Sequence, residues 1–274
     1  MPSPLTKYQR QPKQSIDLPS KGQWYGPGSL ERFEDLDVFS MTASDEIATK
    51  TPDALISGNA TASIIKNCIP SIRNPWEVPM ADIYTILSAI RMASYGEKIN
   101  IANVCTACSE TNSYDVSLQN IIGYFATVEF ISEFEVEGIK FYVRPLSYKE
   151  LNEINKLNFK LQRRLSQTIP LIENEDEQAE ATQQVYEELS NLRTSTICTS
   201  IAKVVIEGEE ESNNDNISEF ITSADKVFFG KAEEIIMKNN EAFAIPATDI
   251  TCASCGHESK LDIEIDYSNF FVKG

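Results

Sequence analysis

Histidine is nearly absent from this chain of 274 residues: it occurs once, at position 257. Imidazole is the side chain that most often moves protons near neutral pH, so one histidine leaves no Ser/His/Asp or Cys/His arrangement to build. The GxxxxGK[ST] and GxGxxG phosphate-binding motifs are missing as well. The sequence therefore gives no indication of an enzyme active site.

Positive charge is also scarce. The 24 Lys and Arg residues are outnumbered by 41 Asp and Glu, which gives a net charge of −17, and such a surface repels phosphate backbones. No apolar run approaches the roughly 20 residues of a membrane span, and the N-terminal segment lacks the apolar region of a signal peptide. We therefore expect no direct nucleic-acid binding, no membrane anchor, and a reducing cytoplasm in which the six cysteines do not form a disulfide framework.

The first 25 residues are locally basic and rich in Pro, Gln and Ser, with Asp17 as the one acidic residue. Such a segment is either a frayed terminus or an extended arm that docks on a partner, with the adjacent aromatics at its end as anchors. For the second interpretation, the predicted partner-binding residues are Lys7, Arg10, Lys13, Lys21, Trp24 and Tyr25.

Alternating apolar residues predict strands over 36–42, 98–104 and 115–118, and a β-hairpin over 127–143 that turns at Glu137-Gly138. Helical spacing predicts a helix over 79–94 that stops at Gly96. Arg91 within this helix is interpreted as solvated or held in a local ion pair. The chain returns to strand over 243–271.

Residues 147–240 have a different character. Helical spacing of apolar residues predicts one long helix up to Pro170, a second from Val185 to Val204, and a last helical region over 217–239, with acidic segments between them. The predicted fold class is therefore α+β, with a long-helix module inserted into a strand-rich part. The predicted division is a basic arm over 1–25, a core formed by 26–146 and 241–274, and a helical module over 147–240.

Two Cys-x-x-Cys motifs carry the strongest chemical signal: Cys105-Thr-Ala-Cys108 and Cys252-Ala-Ser-Cys255. Without a gap, CTACSETNSYDVSL overlays CASCGHESKLDIEI, so each motif is predicted to be a knuckle, a tight turn that leads into a strand. Two such knuckles facing each other make a zinc ribbon, in which four thiolates close the shell of a structural zinc ion.

Other interpretations of these cysteines are weaker. A thioredoxin-like dithiol needs a helix directly after its first cysteine, whereas strands follow here; a chance match, or a site that has lost its metal, also stays open. His257 is interpreted as a polar residue on the second knuckle or a donor to a thiolate, and less readily as a ligand in place of a cysteine. Cys68 and Cys198 lie on apolar helix faces and are predicted to be buried small hydrophobes.

Several short motifs resemble a family of phage proteins. They are LPSKG at 18–22, AIRMASYG at 89–96, the strand into Cys105-x-x-Cys108, and DYSNFF at 266–271. Together they are similar to the baseplate hub proteins, also described as hub assembly proteins or chaperones, of T-even-type contractile-tailed phages. The resemblance implies a non-enzymatic role in building the tail baseplate hub, in the host cytoplasm during assembly or in the virion tail baseplate, with hub or tape-measure proteins as partners.

The alternative function is a zinc-ribbon adaptor of a transcription machine or another nucleic-acid machine. Ribbons that contact nucleic acid usually carry Lys, Arg and aromatic residues around their knuckles. Here Glu110, Glu258 and Asp262 follow the cysteines instead, which favours the baseplate interpretation.

Overall fold

The computed structural model describes residues 10–49, 57–263 and 270. The chain divides into two compact units, of which unit 1 comprises residues 1–128 and 243–274, and unit 2 comprises residues 129–242. Helices and strands are mixed in sequence, and the predicted α+β fold class is confirmed.

Unit 1 begins with an antiparallel pair formed by β1 (Pro12–Ile16) and β2 (Leu36–Phe39). Its helices are α1 (Ala43–Thr49), α2 (Asn59–Cys68), α3 (Met80–Tyr95) and α4 (Leu118–Phe125). Two antiparallel hairpins complete it: β3 (Lys98–Val104) with β4 (Thr111–Ser117), and β9 (Thr248–Thr251) with β10 (Glu258–Leu261). The core side chains with no measurable exposure include Leu36, Val38, Ile65, Ile83, Leu87 and Ile90.

The helix α3 matches its prediction closely. It begins after Pro79 and ends at Gly96, whose φ of 100° favours glycine. The structure corrects the interpretation of Arg91, which is buried rather than solvated. Its guanidinium lies over the rings of Tyr95 and Phe270 and donates a hydrogen bond to the Phe270 carbonyl, while burial lowers its pKa.

The segment after β1 is fastened to α3 through one buried carboxylate. Asp82 accepts hydrogen bonds from the Ser20 backbone N–H at 2.8 Å, the Ser20 hydroxyl at 2.5 Å and the Tyr25 hydroxyl at 3.0 Å. Burial raises the pKa of Asp82 to about 6, although these hydrogen bonds oppose the rise. We call Asp82, Ser20 and Tyr25 the Asp82 clasp; it gives the 18–22 motif a structural role.

The described part of the arm thus differs from a free extended segment. Residues 12–16 are paired in a sheet, and Ile16 and Leu18 are buried. Arg10 donates to the carbonyls of Ser40 and Asn67. These apolar contacts and hydrogen bonds are the reason why residues 10–25 belong to unit 1. Lys7 lies outside the described residues.

Unit 2 is built on one antiparallel sheet with the strand order β5-β6-β7-β8. Its strands are β5 (Glu133–Val136), β6 (Ile139–Val143), β7 (Ile201–Ile206) and β8 (Glu209–Glu211). Its helices are α5 (Tyr148–Arg163), α6 (Glu175–Thr199), α7 (Asn214–Ser223) and α8 (Lys226–Ala242). The rings of Phe134 and Phe141 stack with centroids 4.9 Å apart, within a core that also contains Ile197, Val204, Ile221 and Phe228.

The predicted hairpin with its turn at Glu137-Gly138 is confirmed. Both turn residues have positive φ, 51° and 79°, as a two-residue turn that matches the twist of the strands requires. The sequence placed this hairpin with the core of 26–146, but the structure places it in unit 2, because β6 pairs with β7. Unit 2 therefore begins at Glu129 instead of residue 147.

The second long helix begins and ends earlier than predicted, at Glu175 instead of Val185 and at Thr199 instead of Val204. Residues 201–206 form β7, where Val204 lies opposite Phe141. The segment IAKVVI is rich in β-branched residues, which favour strands, and pairing with β6 decides the outcome. The last predicted helical region is likewise divided into α7 and α8.

Deletion of residues 2–22 should destabilise unit 1, because it removes β1, the buried side chains of Ile16 and Leu18, and the Ser20 contacts of the Asp82 clasp. Loss of two buried aliphatic side chains alone should lower the melting temperature by about 10 °C, measurable by differential scanning calorimetry. Deletion of residues 2–9, which removes none of these contacts, is the control. An unchanged melting temperature for the longer deletion would show that the segment is not part of the core.

Candidate metal centre

Each Cys-x-x-Cys motif connects the two strands of one hairpin in unit 1. The first knuckle (residues 105–108) follows β3, and its Cys105 N–H donates to the Glu110 carbonyl at 2.9 Å. The chain then turns at Ser109, whose N–H donates back to the Cys105 carbonyl at 2.9 Å and whose φ is 59°. These bonds close a tight loop that points both thiols in one direction.

The second knuckle (residues 252–255) repeats this geometry. The Cys252 N–H donates to the His257 carbonyl, and the Gly256 N–H donates to the Cys252 carbonyl, both at 2.9 Å. Gly256 has a φ of 74°, so the left-handed position after the last cysteine recurs, here occupied by glycine. The ungapped overlay of the two sequences therefore corresponds to a repeated backbone structure.

The four cysteine sulfurs meet in one cluster. All four Sγ atoms lie within 4.8 Å of one another. The Cys105 and Cys255 sulfurs are 3.8 Å apart, and those of Cys108 and Cys252 are 3.7 Å apart. Metal–sulfur bonds of about 2.3 Å in a regular tetrahedron put neighbouring sulfurs about 3.8 Å apart. The cluster therefore fits one tetrahedral metal ion, and its sulfur separations are well above the roughly 2.05 Å of a disulfide bond.

Backbone N–H groups donate to the sulfurs of this cluster and so favour the thiolate form of the cysteines. The pKa of the Cys252 thiol is lowered to about 6, chiefly because the N–H groups of Cys255 and Ser254 donate to its sulfur. The pKa of Cys108 is raised to about 12: the Glu110 N–H lowers it, but the neighbouring thiols outweigh that contact. Four thiols this close cannot all ionise without a cation, and a bound metal would supply the compensating charge.

One polar side chain that the sequence did not single out links the two knuckles. The Asn112 amide donates to the Cys252 sulfur at 3.3 Å and accepts from the Ala253 N–H at 3.1 Å. On the same strand, the Tyr114 hydroxyl donates to the Thr251 carbonyl at 3.2 Å. No sequence signal distinguishes Asn112 from the polar residues beside it, since its role depends on the opposing knuckle.

The remaining candidate residues have other surroundings. His257 is exposed on the second knuckle, with its Nε2 3.4 Å from the Thr106 hydroxyl, and it is not part of the sulfur cluster. Cys68 and Cys198 are buried, as predicted; burial raises the pKa of Cys68 to about 11.

The candidate partner-binding residues from Arg10 to Tyr25, which the structure describes, have different surroundings. Arg10 and Tyr25 bond within unit 1, as described above, while Lys13 and Lys21 are exposed and Trp24 is partly buried. Within the part of the chain that the structure describes, none of the helices combines the length and apolar character that a membrane span needs.

The protein is therefore an α+β protein with one discontinuous unit. The two segments of this unit together form a four-cysteine centre that could hold a metal ion. The profile of a family described as T4 bacteriophage base plate protein matches residues 14–272. The chain belongs to this family and is a phage baseplate protein. Neither a curated protein nor a solved structure matches it.

The four-thiolate assignment can be checked with cobalt. One equivalent of Co²⁺ added to the metal-free protein should produce strong near-ultraviolet sulfur-to-cobalt absorption and the visible bands of a tetrahedral ion, because four thiolates surround it. Cys252→Ser should weaken both signals, whereas His257→Ala should leave them unchanged. A spectrum that is lost in His257→Ala, or that lacks the sulfur bands, would contradict the assignment.

Proposed function

We propose that the ion in this centre is zinc and that its role is structural. Four sulfur ligands in tetrahedral geometry favour Zn²⁺ or an iron–sulfur centre over harder cations. Two paired knuckles on β-hairpins are typical of structural zinc sites. A shell of four thiolates leaves no position for water or substrate, which supports stabilisation as the role of the metal.

The zinc ion would connect two distant parts of the chain. Cys105 and Cys108 precede unit 2 in the sequence, whereas Cys252 and Cys255 follow it. Structural zinc sites contribute about 10–16 kcal/mol of apparent binding free energy at neutral pH, and this energy is available to folding only when all ligands are in place. The metal would thus hold residues 243–263 to the first segment of unit 1.

Purified protein should contain one zinc ion per chain by native mass spectrometry and elemental analysis. Removal of the ion with a strong chelator, or Cys252→Ser, should lower the melting temperature of unit 1, because binding energy is folding energy here. His257→Ala is the matched control, since it changes the same knuckle without removing a thiolate. Iron in place of zinc, or an unchanged melting curve after chelation, would overturn the proposal.

For the protein as a whole, we propose a non-enzymatic component or assembly factor of the tail baseplate hub, acting through protein–protein binding. The observation that carries this proposal is the family match over residues 14–272. The resemblance of its motifs to hub and hub-assembly proteins supports the finer assignment to the hub. The proposed partners are hub or tape-measure proteins, met in the host cytoplasm during assembly.

Local features agree with binding as the activity. The exposed Lys13 and Lys21 remain candidates for partner contacts. Glu110, Glu258 and Asp262 are exposed around the knuckles, and these carboxylates give little support to the alternative of a ribbon on a nucleic-acid machine.

A phage that lacks this gene should yield lysates with absent tails or with baseplates that have no hub, as seen by electron microscopy. Expression of the wild-type protein in trans should restore infectious particles, and so should His257→Ala. Cys252→Ser should not restore them, because unit 1 is destabilised. Normal contractile tails from the null mutant would end the hub proposal. If the null mutant has defective tails, mass spectrometry of purified wild-type particles would distinguish a virion component from a chaperone that leaves after assembly.

A further inference from the structure

The helices α5 and α6 form a hairpin with a small core of its own. Leu161, Ile169 and Val185 are buried between them, flanked by Leu165 and Leu189. This cluster is separate from the main core of unit 2, to which α6 contributes only its last turns, at Ile197 and Cys198. The outward sides of the hairpin are therefore not used by the main core.

Charge is segregated around the turn of this hairpin, beyond Glu150 and Glu153 in the first part of α5. Residues 154–172 contain four basic residues and no acidic residue, although the chain as a whole has a net charge of −17. Residues 173–192 contain seven acidic residues and no basic residue. One ion pair, Arg164–Glu188 at 2.8 Å, joins the two segments.

The outer side of α5 carries most of the basic charge. At 100° per residue, Lys156 and Arg163 lie about 140° and about 160° around α5 from the buried Leu161, and Lys160 lies at the edge of this side, about 100° away. Beside them, Phe159 is 58% exposed. None of these three cations takes part in an ion pair within the described residues. We call Lys156, Phe159, Lys160 and Arg163 the basic face.

The outer side of α6 has the opposite charge and similar anchors. Asp176, Glu180 and Glu187 point away from the buried Val185, and all three are exposed. Tyr186 is 60% exposed at the edge of this row. We call Asp176, Glu180, Glu187 and Tyr186 the acidic face.

We propose that the basic face of one copy of this protein docks on the acidic face of a second copy. The two faces have complementary charge, each has an exposed aromatic residue of the kind that anchors interfaces, and both belong to one hairpin. Because the two faces lie on opposite sides of the hairpin, each copy offers its basic face to one neighbour and its acidic face to another. The contact is therefore head-to-tail and builds a ring or a chain of copies. The inference goes beyond the proposed hub function and does not depend on it.

The overall charge of −17 does not prevent this pairing. At physiological ionic strength, charges separated by more than about 8 Å are largely screened, whereas carboxylate–ammonium pairs in contact are screened much less. Repulsion between whole molecules is therefore weakened before the contacts across the two faces are. High salt, which also screens the contact pairs, should weaken the association.

The test is sedimentation velocity of the full, metal-loaded chain from about 1 μM to about 100 μM. We expect oligomers that grow with protein concentration and dissociate on dilution and in high salt. The triple variant K156E/K160E/R163E, with two acidic faces, and D176K/E180K/E187K, with two basic faces, should each raise the dissociation constant about 100-fold or more. An equimolar mixture of the two variants should form mixed oligomers, because each supplies the face that the other lacks.

The control variant K66E/K226E/K260E has the same change in net charge as the first triple variant, at exposed lysines elsewhere, and should still associate. Circular dichroism would verify that every variant is folded. A monomeric wild type, an association that neither triple variant weakens, or a mixture that stays monomeric would each overturn the proposal. If the wild type is monomeric but binds poly-glutamate, and K156E/K160E/R163E does not bind it, the basic face binds an acidic segment of another protein instead.

Discussion

Four sulfur atoms can surround one metal ion only if two stretches of chain return to the same place. Cys105 and Cys252 are 147 positions apart, yet their knuckles face each other with sulfur separations that fit a tetrahedral ion. The residues between them in the sequence include the whole of unit 2, which has its own sheet and core. The metal centre therefore depends on two segments of unit 1 that the sequence separates by an entire unit.

Buried polar contacts stabilise the N-terminal part of unit 1, at residues 18–29. In the Asp82 clasp, a carboxylate with almost no exposure is matched by three donors from residues 20–25, which offset the cost of burying it. A second carboxylate, Glu77, accepts from the Gly26 N–H and the Ser29 hydroxyl, and a side chain at Gly26 would collide with it. The loop of residues 18–29 is thus shaped by two acidic side chains more than by its own apolar content.

The sequence predicts local features of this fold well and long-range pairing less well. The helix α3, the hairpin turn at Glu137-Gly138 and the two knuckles follow from spacing and turn chemistry that act within a few residues. Residues 201–204 are predicted as the end of a helix because their apolar spacing suits either structure, and only pairing with β6 makes residues 201–206 a strand. Arg91 and Asn112 could not be assigned for the same reason, since their partners Phe270 and Cys252 are far away in sequence. The motif at 266–271, apart from Phe270, lies outside the described residues.

The order of the two knuckles along the chain also has a consequence for synthesis. The ribosome adds about 5–20 residues per second, so Cys252 is synthesised roughly 7–30 s after Cys105 and Cys108. During this interval all of unit 2 is translated, and its sheet and helices contain every residue they need to fold. During this interval the first knuckle supplies only two of the four metal ligands. Unit 1 therefore cannot be completed until the whole of unit 2 has been translated.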